Sequence, residues 1–258
     1  MKHAFLDRYS DRDSFIHRLD PRTKLVTSLL FILAVLLTPP DGWAAYALYF
    51  GLLTAWLLLS RVPVRYVLQR SLVIMPFVLL VAVFLPFFSR GGEFTSYQLG
   101  PWHITLTAAG LQMLRNILAR AWLSIISLTL LAATTRLPDL LKGMEQLRLP
   151  RVMVMVLSFM YRYLFVLTDE VMRLRQARDS RYFGGQRWRQ LRTTGHMVGT
   201  LFLRSYERGE RVYAAMLARG YDGQSRTLHH PSFRPADAAF GLGLVLILAA
   251  TSLISRWP

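Results

Sequence analysis

The 258-residue chain contains no cysteine and only three lysines, and its long apolar stretches hold no acidic residue. Without cysteine, neither a disulfide framework nor a thiolate metal site can form. No Gly-x-x-x-x-Gly-Lys-[Ser/Thr] segment exists, and none of the lysines follows a glycine, so the chain has no P-loop of its own. An ATP-driven step would have to use another subunit. The lack of carboxylates inside the apolar stretches argues against a proton or cation relay through the chain. Six histidines are scattered apart from His229-His230, and that pair, followed by Pro231 and without companion ligands, reads as a loop rather than a metal site. The sequence therefore offers no catalytic residue, metal site or cofactor site.

What the chain does have is hydrophobicity. Apolar residues make up 53%, the mean hydropathy is +0.31, and apolar runs cover Leu25–Thr38, Trp43–Ser60, Ser71–Phe88, Ala121–Ala133 and Ala238–Ile254. These predict an all-α, polytopic membrane protein with about five transmembrane helices, several near the lower length limit and borrowing residues from their flanks. The first 24 residues mix charge and polarity without an apolar h-region, so no signal peptide is expected before the first span.

Charge gives the expected orientation. Six Lys/Arg lie in residues 1–24, three in 61–70 and 18 in 136–235, which is 27 of the 31 in all, while Pro39–Trp43 has none and Ser89–Gly110 only Arg90. The positive-inside rule places the three basic segments, including the N-terminus, in the cytoplasm and the two poor loops outside. The formal charge of +16 follows this pattern beside the spans, so it requires no nucleic-acid partner. Arg115 and Arg120 interrupt the fourth span, where snorkelling, a place in the protein interior and an interfacial stretch before the span are all open.

The expected organisation is a cytoplasmic segment 1–24, a membrane domain 25–135, a cytoplasmic domain 136–235 and a last transmembrane helix 236–258. The block 136–235 carries 18 basic and eight acidic residues, yet apolar helices interrupt it, so it should fold. Leu137-Pro138-Asp139 opens a short helix with proline in its first turn, and Leu149-Pro150 closes it. Val156, Met160, Tyr163, Leu167, Val171 and Leu174 then form one helical stripe. Trp188, Leu191, Gly195, Val198, Phe202, Ser205, Gly209, Val212 and Met216 form a second, whose small residues would admit a closely crossing helix. Ordinary helix packing accounts for the apolar positions. Arg192, Arg204, Glu207, Arg208 and Arg211 fall on the opposite, water-facing side of the second helix.

Each stripe runs on to an arginine cassette: Gln176-Ala177-Arg178-Asp179 and Leu217-Ala218-Arg219-Gly220. An arginine there can satisfy the last carbonyls of its helix, but two matching ones point to a shared role. A second register, Arg181-x-Phe183-x-Gly185 against Arg219-x-Tyr221-x-Gly223, is equally open. The guanidinium offers a planar fork of five donors and a permanent charge, suited to carboxylates and carbonyls in a groove. Gly220 can take positive φ and end its helix, which leaves the arginine free to project.

On three stretches the chain resembles the transmembrane T component of energy-coupling factor (ECF) transporters, in particular the cobalt-type CbiQ branch. They are His17-Arg18-Leu19-Asp20-Pro21-Arg22-Thr23-Lys24-Leu25, Pro138-Asp139-Leu140-Leu141 to Leu149-Pro150, and Ala215-Met216-Leu217-Ala218-Arg219-Gly220-Tyr221-Asp222-Gly223. The resemblance implies a coupling subunit of the prokaryotic cytoplasmic membrane, not itself an enzyme. Its two Ala-Arg-Gly motifs would end long coupling helices and dock on a pair of ABC-type ATPases, while a separate substrate-binding S component, for cobalt or nickel, would share the membrane lipid with it. Ala218-Arg219-Gly220 matches that motif fully; Ala177-Arg178-Asp179 matches only its first two positions. A T component of a vitamin-type ECF transporter is the alternative. A secondary transporter would call for an intramembrane ionisable site or paired broken helices, neither of which is visible. Asp20-Pro21 has a more modest reading, with Asp capping the first span, Pro at its first helical position, and Arg18, Arg22 and Lys24 at the cytoplasmic headgroups.

Overall fold

The computed structural model describes residues 12–40, 42–84, 94–99, 102–181, 187–223 and 234–254. Asp20 accepts a hydrogen bond from the backbone N–H of Arg22 at 2.9 Å and Pro21 supplies the first residue of α1, Pro21–Leu37. The chain cannot continue this helix through Pro39-Pro40, and it turns into α2, Trp43–Ser60. Arg61, at φ 54°, ends α2, and Pro63 precedes α3, Val64–Ala82. A short antiparallel hairpin follows, β1 Phe94–Leu99 on β2 Trp102–Thr107, with Phe94 opposite Thr107 and Leu99 opposite Trp102. Five further helices follow among the described residues: α4 Ala108–Thr134, α5 Leu137–Gln146, α6 Arg151–Ser180, α7 Arg187–Ala218 and α8 Pro235–Ile254. The protein is thus an all-α membrane protein carrying one small hairpin.

The described residues divide into two compact units, 12–143 with 234–254, and 144–223. In the first, α1 packs along both α4 and α8, and α4 also packs on α2 and α3. Phe31, Val35, Tyr49, Leu53, Trp56, Leu123, Leu130 and Leu248 form its core. Several polar groups buried among these helices pair with one another, since neither lipid nor core offers them water. Ser28 Oγ meets Ser127 Oγ at 3.0 Å, Thr38 Oγ1 meets Tyr49 OH at 3.2 Å, and Trp122 Nε1 donates to Ser71 Oγ at 3.4 Å. Outward-facing positions are apolar instead, among them Leu33, Leu72, Phe77, Leu80 and Leu246, the arrangement a bilayer favours.

Helices α2, α3, α4, α6 and α8 are long and apolar enough to cross a membrane. The number equals the five apolar runs, but the set differs by one. Helix α1, with 17 residues and a length of about 25 Å, falls short of a hydrocarbon layer of about 30 Å, yet it is packed within the bundle. Helix α6 reaches spanning length and apolarity although its charge pattern in the sequence assigns it to the cytoplasmic block.

The two arginines of α4 are placed by the fold. Arg120 turns into the protein, donating through Nε to Tyr46 OH at 2.9 Å and through Nη2 to the Thr38 carbonyl at 2.6 Å. It thereby satisfies a carbonyl at the end of α1. The Arg115 guanidinium lies 4.1 Å from the centre of the Trp43 ring, a cation–π contact. Both hold the α1–α2 corner to α4.

Lys24 corrects a sequence expectation. Rather than reaching the headgroups, it is only 2% exposed and donates to the carbonyls of His17 at 3.0 Å and Thr134 at 3.1 Å. Burial disfavours its charge and pulls its pKa down to about 8, and the nearby Asp139, Asp237 and Asp20 carboxylates offset only part of that cost. Asp237 is equally buried and joins two helix starts: Oδ2 accepts from the Arg234 N–H and Oδ1 from the Asp20 N–H, each at 2.8 Å. Helix α5 is set against the same place, because a Cβ on Gly143 would meet the backbone of Pro21 and Arg22 at 3.3 Å. A larger residue there would have to push the start of α1 away by a few tenths of an ångström.

Candidate functional site

The second unit is built on α6 and α7, and its first feature is a helix end. Helix α5 closes with the Arg148 N–H on the Glu145 carbonyl and the Leu149 N–H on the Met144 carbonyl, both at 3.1 Å, with Arg148 at φ 74°. This is the Schellman pattern, here with a non-glycine residue in the left-handed position. Pro150 then precedes α6 with extended dihedrals, and Pro138 sits in the first turn of α5, whose Asp139 and Leu140 N–H groups both bond the Arg136 carbonyl.

The same pattern ends α7 at the second cassette. The Gly220 N–H bonds the Leu217 carbonyl at 3.0 Å, the Tyr221 N–H bonds the Met216 carbonyl at 3.0 Å, and Gly220 has φ 77°. Nothing lies within 4 Å of where a Gly220 Cβ would be, so glycine serves the backbone conformation rather than space. Arg219, between Ala218 and Gly220, is exposed and has no side-chain partner among the described residues.

Arg178 is held differently. Its Nε and Nη2 both donate to Asp179 Oδ1, at 3.0 and 2.8 Å, and its side chain is only 19% exposed. Asp179 occupies the position that Gly220 has in the other cassette. Helix α6 runs through Ala177, Arg178 and Asp179 and stops at Ser180, and Arg181 beyond it has φ −93°. Of the alternative register, Arg181 is exposed, while Phe183 and Gly185 lie outside the described residues, as do His229, His230 and Pro231.

The two cassettes do not converge. Tyr221 OH contacts Met155 Sδ at 2.9 Å, and Arg204 forms an ion pair with Glu170, so α6 and α7 run antiparallel. Arg219 is therefore near the start of α6, whereas Arg178 is 23 residues beyond Met155, on the order of 35 Å along the helix. One hairpin presents one arginine at each end.

One further expectation is corrected here. Val156, Met160 and Val171 of the first stripe, and Trp188, Leu191, Val198 and Phe202 of the second, are exposed, and a Cβ at Gly195 or Gly209 would meet nothing within 4 Å. Helical period identifies the apolar face but not what covers it. No helix of the described chain crosses at these small residues. Arg204, assigned to the water-facing side, is exposed and also reaches Glu170 on α6. Sequence reasoning does not single out Glu170, and only its place among apolar neighbours would have marked it.

Comparison with known proteins identifies the arrangement. A family model described as cobalt transport protein, CbiQ, matches residues 12–230. The cobalt transport protein CbiQ of Rhodobacter capsulatus is 29% identical, over 98% of both chains. The ECF transporter transmembrane proteins EcfT of Lacticaseibacillus paracasei and Limosilactobacillus fermentum are 30% and 29% identical, over 86% and 95% of this chain and 87% and 94% of theirs. With both ends of the α6–α7 hairpin inside the matched span, the chain belongs to the CbiQ family, the transmembrane T components of energy-coupling factor transporters.

Proposed function

We infer that this chain couples ATP-driven motion of two cassette ATPases to a substrate-binding membrane subunit, and that its substrate is cobalt or nickel. The observation that carries the reading is the pair of arginine-ended helices of one antiparallel hairpin, on the order of 35 Å apart, which suits two separate docking grooves better than one. Ala218, Arg219 and Gly220 form the stronger contact and Ala177 and Arg178 the second. Nucleotide binding can move such a hairpin only through a difference in interaction free energy between its two positions. The cobalt reading rests on the family description, and the similar identity to EcfT proteins favours, as the alternative, a T component serving another substrate. ATP is hydrolysed by the partners. The purified chain is expected to show no ATP turnover but to form a stable complex with the ATPases encoded beside it. Turnover by the isolated chain, with contaminating ATPases excluded, refutes the reading, and the substrate bound by the co-purified membrane subunit decides between metal and vitamin.

Orientation follows from charge, with the N-terminus and the domain 136–235 in the cytoplasm of a prokaryotic cell and β1–β2 outside. Helix α6 is the point at risk, since by length and composition it could cross. Its Arg162 is exposed midway along it, and its Glu170 binds polar α7, so we place it along the cytoplasmic surface. Single cysteines at Asp13, Ser96 and Asp222 test this in a chain that has none of its own. Only position 96 should react with an impermeant maleimide in intact cells. External labelling at 222 would put α6 across the bilayer.

A further inference from the structure

Two helices of the membrane unit leave an apolar groove between them. Helices α2 and α8 run antiparallel, since the Trp56 and Phe240 rings meet with their centres 5.8 Å apart while Thr251 Oγ1 donates to Tyr49 OH at 3.4 Å. Ala55 and Leu59 of α2, with Ala239, Gly243 and Ile247 of α8, line a space of about 240 Å³. That is below the roughly 300–1,000 Å³ of a drug-sized pocket and suits a single alkyl chain. No described atom lies within 4 Å of where a Gly243 Cβ would be, so the small residues make room here rather than admit a helix of this chain. From Ala239 to Ile247 the groove follows α8 for about 12 Å, close to the roughly 15 Å of hydrocarbon in one leaflet. Leu58, Leu242 and Leu246 beside it are exposed, as lipid-facing residues are.

Positive charge gathers at one end of this groove. Arg61 ends α2 just past Leu59, and Arg234 directly precedes α8, so the antiparallel arrangement puts both at the same membrane surface, and both are exposed. Arg12 brings a third positive charge to Arg61, donating through Nη1 to its carbonyl at 2.6 Å. Asp237, the acidic residue nearest to Arg234 in sequence, is buried and occupied by backbone N–H groups. We propose that this groove binds an anionic phospholipid, with one acyl chain along Ala239, Gly243 and Ile247 and the phosphate held by Arg61 and Arg234. A guanidinium fork matches phosphate oxygens, whereas the ammonium of a zwitterionic headgroup would be repelled by the same arginines. Trp56 gives independent support: it is 3% exposed, lines the groove, and its Nε1 has no acceptor among the described residues. A buried indole N–H ordinarily has a partner. Trp56 lies about 7 Å deeper along α2 than Arg61, where the ester oxygens of a lipid whose phosphate meets Arg61 would enter beside the ring. Which leaflet supplies the lipid rests on the orientation above; the binding does not.

The test is native mass spectrometry of the full-length chain released from nanodiscs holding equal amounts of phosphatidylglycerol and phosphatidylcholine. The chain should retain phosphatidylglycerol in preference. Arg61→Gln and Arg234→Gln should each lower that retention about five-fold and together about thirty-fold, the equivalent of about 1 kcal/mol for each charge near an anionic headgroup. Arg208→Gln, at an exposed arginine of the other unit, should leave it unchanged. Gly243→Leu should fill the groove and displace the lipid, with a parental melting temperature in lipid-free detergent because its side chain enters open space. In vesicles, the tryptophan fluorescence that Trp56→Phe removes should be quenched more by brominated phosphatidylglycerol than by brominated phosphatidylcholine. Equal retention of the two lipids overturns the proposal, as does parental retention by Gly243→Leu or by the double arginine variant. A lowered melting temperature in Gly243→Leu overturns it too, since the stripe would then be packed against protein. None of these outcomes depends on which side Arg61 faces, so an inverted topology in the cysteine-labelling experiment changes the leaflet and leaves the site standing.

Discussion

Arg219→Ala is expected to abolish transport and to weaken ATPase docking by tens to thousands of fold. That range corresponds to about 2–5 kcal/mol, the usual cost of truncating a charge-assisted arginine contact whose partner is left unpaired. The structure supports so large an effect because the Arg219 side chain holds nothing among the described residues. It is exposed, without a side-chain partner among the described residues, beyond a helix already closed by Gly220 and Tyr221. Removing its side chain leaves those backbone bonds intact. Arg219→Lys keeps the charge but loses the fork, so it should rescue poorly. Arg178→Ala should be equal or milder, since its guanidinium is already engaged by Asp179. Asp179→Gly, which would remove the Asp179 pairing and recreate the Ala-Arg-Gly of the other cassette, should not reduce transport. The control is Arg208, exposed on α7, rather than Arg204, which serves the pair with Glu170. Uptake assays beside membrane protein levels and ATPase pull-down check all of these. Parental transport by Arg219→Ala at normal levels would reduce the arginine to a helix-end ornament.

What can be read from the sequence is local. Asp20-Pro21, Leu137-Pro138 and Leu149-Pro150 mark helix boundaries through capping and the missing proline N–H, both decided by neighbouring residues. Ala218-Arg219-Gly220 announces its helix end for the same reason. What escapes is settled by contacts far apart in the chain. Lys24 looks like a headgroup residue until Thr134, 110 positions on, supplies its acceptor, and Asp20 meets Asp237 across 217 positions. Arg120 finds Thr38 across 82 positions, and Arg204 finds Glu170 across 34. The β1–β2 hairpin is a different omission. Phe94-Thr-Ser-Tyr-Gln-Leu, Gly100-Pro101 and Trp102-His-Ile-Thr-Leu-Thr carry a strand, turn, strand signal, whereas charge counting alone sees only an external loop.

Lys24→Met should be the most destabilising single change in the membrane unit. Methionine matches the volume and the linear stem, so the loss is electrostatic: the His17 and Thr134 carbonyls lose their donor, and Asp20 and Asp237 are left buried without their cation. Breaking a buried pair from one side costs about 3–5 kcal/mol because the remaining charge has nowhere to be solvated. Asp20 Oδ2 has no hydrogen-bond partner among the described residues, so the cluster holds little reserve. The expected result is a lower melting temperature in detergent and reduced membrane levels, with the defect confined to stability. Adding Asp237→Asn should recover part of it, since the amide oxygen can still accept from one of the two N–H groups that Asp237 ties while the uncompensated charge disappears. If Lys24→Met melts at the parental temperature, the ammonium is not what holds the starts of α1 and α8 together. If the double variant is worse than the single one, capping by Asp237 outweighs the charge balance, and the energy of the cluster lies in its backbone hydrogen bonds.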